Sequence, residues 1–209
     1  YKMKKSVIAL IALGIVFGLT LILSLIGFFW SKNFNNTAVV LQEDAKTKWS
    51  NVESAYQRRS DLIGNLVKTV QGAADFEKST LTEVIEARAK ATSVNIDAGN
   101  LNASQIQNFS QAQSGLTSAL SKLLVSVERY PDLKSNQNFM NLQNQLEGTE
   151  NRINIERNKF NETVGSYNKH IKIFPNSIFA GWFGFEEMTR YQADEGAQNA
   201  PDVEFDFNK

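Results

Sequence analysis

The hydrophobic positions of this chain fall into two regimes. No charged residue stands between Lys5 and Lys32, and the run VIALIALGIVFGLTLILSLIGFFW, residues 7–30, has Thr20 and Ser24 as its only hydroxyls. As an α-helix this run reaches about 36 Å, enough to cross a hydrocarbon layer of ~30 Å with some tilt. Phe28, Phe29 and Trp30 close it, where aromatic rings favour the headgroup region. A cleaved secretory leader is the competing reading. Its apolar core would be about 7–15 residues long and followed by an A-x-A-like site. This run is longer and no such site follows, so an uncleaved transmembrane helix is predicted.

From Ala38 onward the apolar residues recur at steps of three or four, with double steps from Tyr56 to Ile63, Ala73 to Leu81 and Val84 to Ala91: Leu41, Ala45, Trp49, Val52, Tyr56, Ile63, Leu66, Val70, Ala73, Leu81, Val84 and Ala91. This period predicts one helix of about 55 residues, some 80 Å long. SVNIDAGNLNAS, from Ser93, ends it with turn-forming residues. Ser104 and Gln107 resemble a capping box opening a second helix, with Ile106, Phe109, Leu116, Leu120, Leu123, Val127 and Tyr130 on its stripe and Pro131 as its stop. A third helix carries Phe139, Leu142, Leu146, Ile153, Phe160, Val164, Tyr167 and Ile171, and ends before Pro175. SIFAGWFGF shows no helical stripe, EEMTRYQADEGA suits a short acidic helix, and PDVEFDF alternates like a strand.

The predicted fold is therefore all-α: an N-terminal transmembrane helix, then an antiparallel bundle of one long and two shorter helices, then a short helix or extended tail. The expected divisions are a flank at residues 1–6, the span at 7–30, the bundle at 31–175 and the tail at 176–209. The aromatics Phe179, Trp182, Phe183 and Phe185 are expected to pack on the bundle, with a membrane interface as the alternative.

Charge refines this picture. The net charge of zero divides unevenly, because Lys2, Lys4 and Lys5 precede the apolar run and every acid follows it. Positive residues on the N-terminal flank point to a cytoplasmic N-terminus and an exported bundle. Residues 186–209 carry seven acids against Arg190 and Lys209. No clustered basic surface exists for nucleic acid, which is excluded as a partner. Cysteine is absent and His170 is the single histidine, so neither a Ser-His pair within a triad nor a His-metal cluster is expected, and no cofactor or metal is predicted. The chain is read as non-enzymatic.

The stretch SAYQRRSDLIGNLVKTV places Arg59 on the apolar seam between Tyr56 and Ile63, with Arg58 and Asp61 spaced to pair on one surface. A charge on such a seam is costly unless partnered. Arg58, Arg59, Asp61 and Asn65 are accordingly expected to form a satisfied polar layer inside the bundle. Glu147 and Glu150 share a helical face with Arg157 nearby, a pattern of ion pairing.

These same residues carry a resemblance. The strings QRRSDLIGNLV and LEGTENRI, together with YPDLKSNQNFMNLQ, EVIEARAKA and the closing PDVEF, are similar to the LemA family over nearly the whole chain after the anchor. The resemblance implies a bacterial inner-membrane protein with one N-terminal span, an antiparallel helical bundle and no established catalytic activity. The resemblance marks Gln57, Arg58, Arg59, Asp61, Asn65, Glu150, Asn151 and Arg152 as the family's polar signature, expected in that polar layer, and Gly64 stands where the family's first motif commonly has proline.

Helix lengths then suggest a function. A second helix of about 40 Å, folding back on one of 80 Å, covers only its distal half. Leu41, Ala45, Trp49 and Val52 would lack an intramolecular partner and form, with the Gly14-x-x-x-Gly18 pair, an oligomer interface. The expected partners are the bilayer and further copies of this chain in a membrane-anchored scaffold. The alternatives are a monomeric tethered adaptor that recruits another protein, or a membrane-remodelling assembly.

Overall fold

The computed structural model describes residues 5–73, 76–94, 96 and 101–192. Among the described residues there are six helices and no strand: α1 (Lys5–Gln71), α2 (Lys78–Ser93), α3 (Ala103–Val127), α4 (Pro131–Lys134), α5 (Gln137–Lys172) and α6 (Asn176–Phe183). The chain divides into two compact units, Tyr1–Asp44 with Ser166–Glu187, and Ala45–Gly165 with Met188–Lys209. The helical-bundle class read from the sequence is the observed one.

The second unit is an up-down-up-down bundle of four helices rather than three. The apolar period does not mark a single helix from Ala38 to Ser93. Instead α1 ends at Gln71, a turn bonds Ala73 N–H to the Val70 carbonyl, and α2 reverses along α1. Arg88 of α2 donates to the Ser60 carbonyl at 2.8 Å, which fixes that reversal. Gly72, a poor helix residue, stands at the break. The period continues across it because Leu81, Val84 and Ala91 pack on the core that also takes Leu62, Ile63, Leu66 and Val70. Periodicity reports which face is buried and is blind to chain direction.

Helix α3 then starts at the level of Trp49 to Tyr56, since Ile106 and Phe109 share a cluster with both. Its N-cap is Asn102, whose side chain accepts from Gln105 N–H. Ser104 only donates its hydroxyl to that same Asn102 side chain, so the capping-box reading was displaced by two residues. Pro131 opens α4 at its first turn, where a missing N–H is harmless. Helix α3 has already ended at Val127. α5 returns antiparallel to α1 and brings Ile153, Phe160 and Val164 onto Trp49 and Val52.

This packing overturns the exposed seam. Ala45, Trp49 and Val52 are each fully buried within their own chain. Trp49 meets the rings of Phe109 and Phe160 edge-on at 5.6 and 5.2 Å and lies beside Tyr191 at 6.5 Å. The expected shortfall in cover assumed that α3 begins at the distal end of α1. The early reversal at Gly72 brings its start back to Trp49, and Tyr191 adds further cover. Leu41, in the first unit, is half-buried.

In the first unit, Phe34 is 1% exposed. It is enclosed by His170, Phe179, Phe183 and Phe185, with ring centroids 5.1 to 6.3 Å away. SIFAGWF, expected to lack a helical stripe, forms α6. Gly184 caps it in the left-handed region at φ 74°, its N–H on the Ala180 carbonyl. A glycine suits that conformation because it has no Cβ to clash. The residues from Glu186 to Gln192 are not helical, which corrects the short acidic helix as far as Gln192. PDVEFDF lies outside the described residues.

Candidate functional site

The polar signature resolves into one buried arginine and a largely exposed surface. Arg59 is 5% exposed. Its Nη1 donates to Glu150 Oε2 at 3.0 Å and to Thr117 Oγ1 at 3.3 Å. Its Nη2 donates to Gln113 Oε1 at 2.6 Å and to the Gln113 carbonyl at 3.4 Å. The guanidinium lies 4.9 Å from the centre of the Tyr56 ring, within cation–π reach. Three helices thus converge on one cation, which ties the register of α3 and α5 to α1.

The other signature residues form no inner layer. Gln57, Arg58, Asp61, Asn65, Asn151 and Arg152 are exposed, and the Glu150 side chain is 47% exposed. The expected polar layer is corrected to one buried member among these eight residues, Arg59. Asp61 accepts from Gln57 at 3.2 Å and meets Arg88 at 3.8 Å; the Arg58–Asp61 pair is replaced by these contacts. Arg157 donates to the Gln192 carbonyl and lies over the Tyr191 ring at 3.9 Å. Helix geometry explains the outcome. Each residue turns about 100° from the last, so Arg59 and Ser60 fall on the buried face while Gln57, Arg58 and Asp61 turn outward.

Gln113 and Thr117 were missed as partners of Arg59. A signal was present, because Gln113 occupies the seam step between Phe109 and Leu116 on α3, where an apolar residue would otherwise stand. Glu156 was missed as well. Its side chain is 4% exposed, with Lys159 at 3.1 Å and Arg152 at 3.6 Å. Tyr191 was a third. Its hydroxyl lies 3.1 Å from that of Tyr56, and its backbone is clasped by Asn161 at 2.7 and 2.8 Å. Burial first, and then the neighbouring Tyr191, push the Tyr56 phenol far above its usual range. The Tyr56 hydroxyl is thereby not poised for proton transfer near neutrality.

The arrangement around Arg59 holds a charge in place rather than presenting it to a substrate. Among the described residues, no group of three or more His, Cys, Asp or Glu side chains is placed to hold a metal ion. On the surface, Arg58 and Arg152 flank a groove floored by Ser54, Ala55, Gly148 and Thr149. Gly14 and Gly18 lie on the apolar stretch of α1, with open space where a Cβ would be. That helix is long and apolar enough to cross a membrane.

The LemA family profile matches residues 48–205, and the chain belongs to the LemA family. It is 29% identical to the Magnetosome protein MamQ of Magnetospirillum gryphiswaldense over 200 residues, covering 86% of this chain and 72% of that protein. It is 28% identical to Magnetosome protein MamQ 2 of Paramagnetospirillum magneticum, covering 75% of this chain and 64% of that protein. It is 24% identical to Protein LemA of Metamycoplasma hominis, covering 74% and 67%.

Proposed function

We propose that this chain is a single-pass, non-enzymatic scaffold of the bacterial inner membrane that associates with further copies through the transmembrane part of α1. The observation that carries this reading is the continuity of α1. One helix of 67 residues bears the uncharged apolar run at its start and Trp49 and Arg59, both core residues of the bundle, further on. The charge asymmetry of the flanks favours an exported bundle.

Burial of Trp49 and Val52 moves the contact between copies away from the bundle seam. Gly14 and Gly18, with the adjacent Leu21, offer a small-residue face on which two apolar helices can approach closely. Confinement to a plane raises the effective concentration of such contacts. Cysteine scanning tests it, since the chain has no cysteine of its own. Under mild oxidant in the membrane, Leu21→Cys is expected to give disulfide dimers, and Val16→Cys, on the opposite face, is not. Equal yields at both positions, or none at either, would overturn self-association.

A second reading, the tethered adaptor, is favoured by the exposed Arg58 and Arg152 beside their groove. A photo-crosslinker at Ser54 distinguishes it. The adaptor reading requires one dominant foreign protein at that position, and the scaffold reading requires none.

A further inference from the structure

We propose that α6 is an interfacial helix, whose outer edge lies in the headgroup region of the same bilayer that α1 crosses. The inference rests on α1 being a transmembrane helix, and adds a second membrane contact that anchoring alone does not require.

Its height is fixed by two contacts within the first unit. Trp30, the last residue of the apolar run, donates its indole N–H to Asn176 Oδ1 at 3.4 Å. Asn176 is the first residue of α6, and its own amide donates to the His170 carbonyl at 3.0 Å. One turn beyond Trp30, Phe34 is covered by Phe179 and Phe183 from α6. α6 is therefore pinned to the segment of α1 from Trp30 to Phe34, about 6 Å of helix axis. That is where the uncharged run ends.

The exposed side of α6 is apolar. Ile178 and Trp182, four residues apart on the helix, are 44% and 76% exposed, and Phe174, in the turn that leads into it, is 81% exposed. If the helix served only to cover Phe34, one ring face would suffice and the outer edge would be polar. Instead it carries an isoleucine and a tryptophan, with the indole N–H available to phosphate and carbonyl groups, and an exposed phenylalanine precedes it. Aromatic side chains partition to this depth of a bilayer, and short apolar-edged helices lie along it. A bilayer spanned by residues 7–30 meets that edge without any further binding event. A second copy of the chain would have to find it.

The absence of cysteine makes the test direct. Phe174→Cys and Trp182→Cys, each in the full chain and labelled with the environment-sensitive dye NBD, are placed in phosphatidylethanolamine–phosphatidylglycerol vesicles, with Leu13→Cys as a report on the span. The labels at positions 174 and 182 are both expected to shift to shorter emission wavelength and to lose most of their quenching by iodide, relative to free NBD-cysteine. A nitroxide near the lipid headgroup should quench them several-fold more than one deep in the acyl chains, and Leu13→Cys should show the reverse order. Free access of iodide to both of these labels, with Leu13→Cys still quenched from the deep position, would overturn the inference alone. Protection from iodide without lipid quenching would also overturn it, because protein then covers the edge. Failure of lipid quenching at Leu13→Cys would instead remove the transmembrane reading on which it rests.

Discussion

Arg59 and Glu150, 91 positions apart, meet at 3.0 Å with unequal surroundings: the arginine side chain is 6% exposed and the glutamate 47%. The glutamate thus closes the solvent side of a charge whose Nη2 is held on the inner side by Gln113. An ion pair with one wet partner contributes little by itself. The inner hydrogen bonds matter more, since water cannot replace them.

A ranking of substitutions follows. Gln113→Leu removes the side-chain acceptor of Nη2, leaving one guanidinium N–H facing apolar packing, and is expected to cost about 1–3 kcal/mol. Glu150→Gln keeps an acceptor near Nη1 at a half-exposed position and should cost under about 1 kcal/mol. Urea denaturation of the detergent-solubilised chain measures both. Glu150→Gln proving the more damaging would mean that the ion pair, rather than the inner amide, holds the cation.

Trp49 separates a core residue from an interface residue. It has no exposed surface and meets Phe109 and Phe160 edge to face. Trp49→Ala is expected to destabilise the fold by about 3–5 kcal/mol, with the cost independent of protein concentration. A variant that stays equally stable and merely shifts the association equilibrium would restore the seam to an interface role.

Much of this was legible beforehand, and what was not has a physical cause. The apolar run, the core stripe of α1 and the inward position of Arg59 all follow from a period near 3.6, which identifies faces. Direction and partner identity do not follow from it, so the reversal at Gly72 and the four-helix arrangement were hidden. α6 escaped for a related reason. Phe179 and Phe183 face Phe34 while Ile178 and Trp182 face outward, so apolar residues occupy both sides and no amphipathic stripe remains to be read. Gln113 was visible only as a polar step on a seam, and its partner 54 positions away leaves no local trace.

Glu53 gives a pH dependence. Burial raises its carboxyl above the ordinary range, and the Trp49 indole works weakly in the opposite direction. A folded-state value above the unfolded one means that the native chain binds the proton more tightly. Stability should fall as pH rises from the ordinary carboxylate value through the raised one, and level off above it. Glu53→Gln is expected to raise stability at neutral pH and flatten that decline, with little effect in acid below both values. Thermal melts across this range check it; an unchanged slope in the variant would assign the decline to another group.

Gly115 lies exposed in the middle of α3, with nothing within 4 Å of where a Cβ would stand. Gly115→Ala should stabilise the bundle by about 0.5–1 kcal/mol through helix propensity. A rise in melting temperature checks it, and a fall would show that another molecule packs against that surface.

Alkaline carbonate washing of cell membranes, followed by the intact mass of the retained chain, tests the central claim most directly. The account predicts that the chain stays in the membrane pellet with residues 7–30 still attached to the bundle. Recovery in the supernatant, or a mass showing that those residues have been removed, would contradict it.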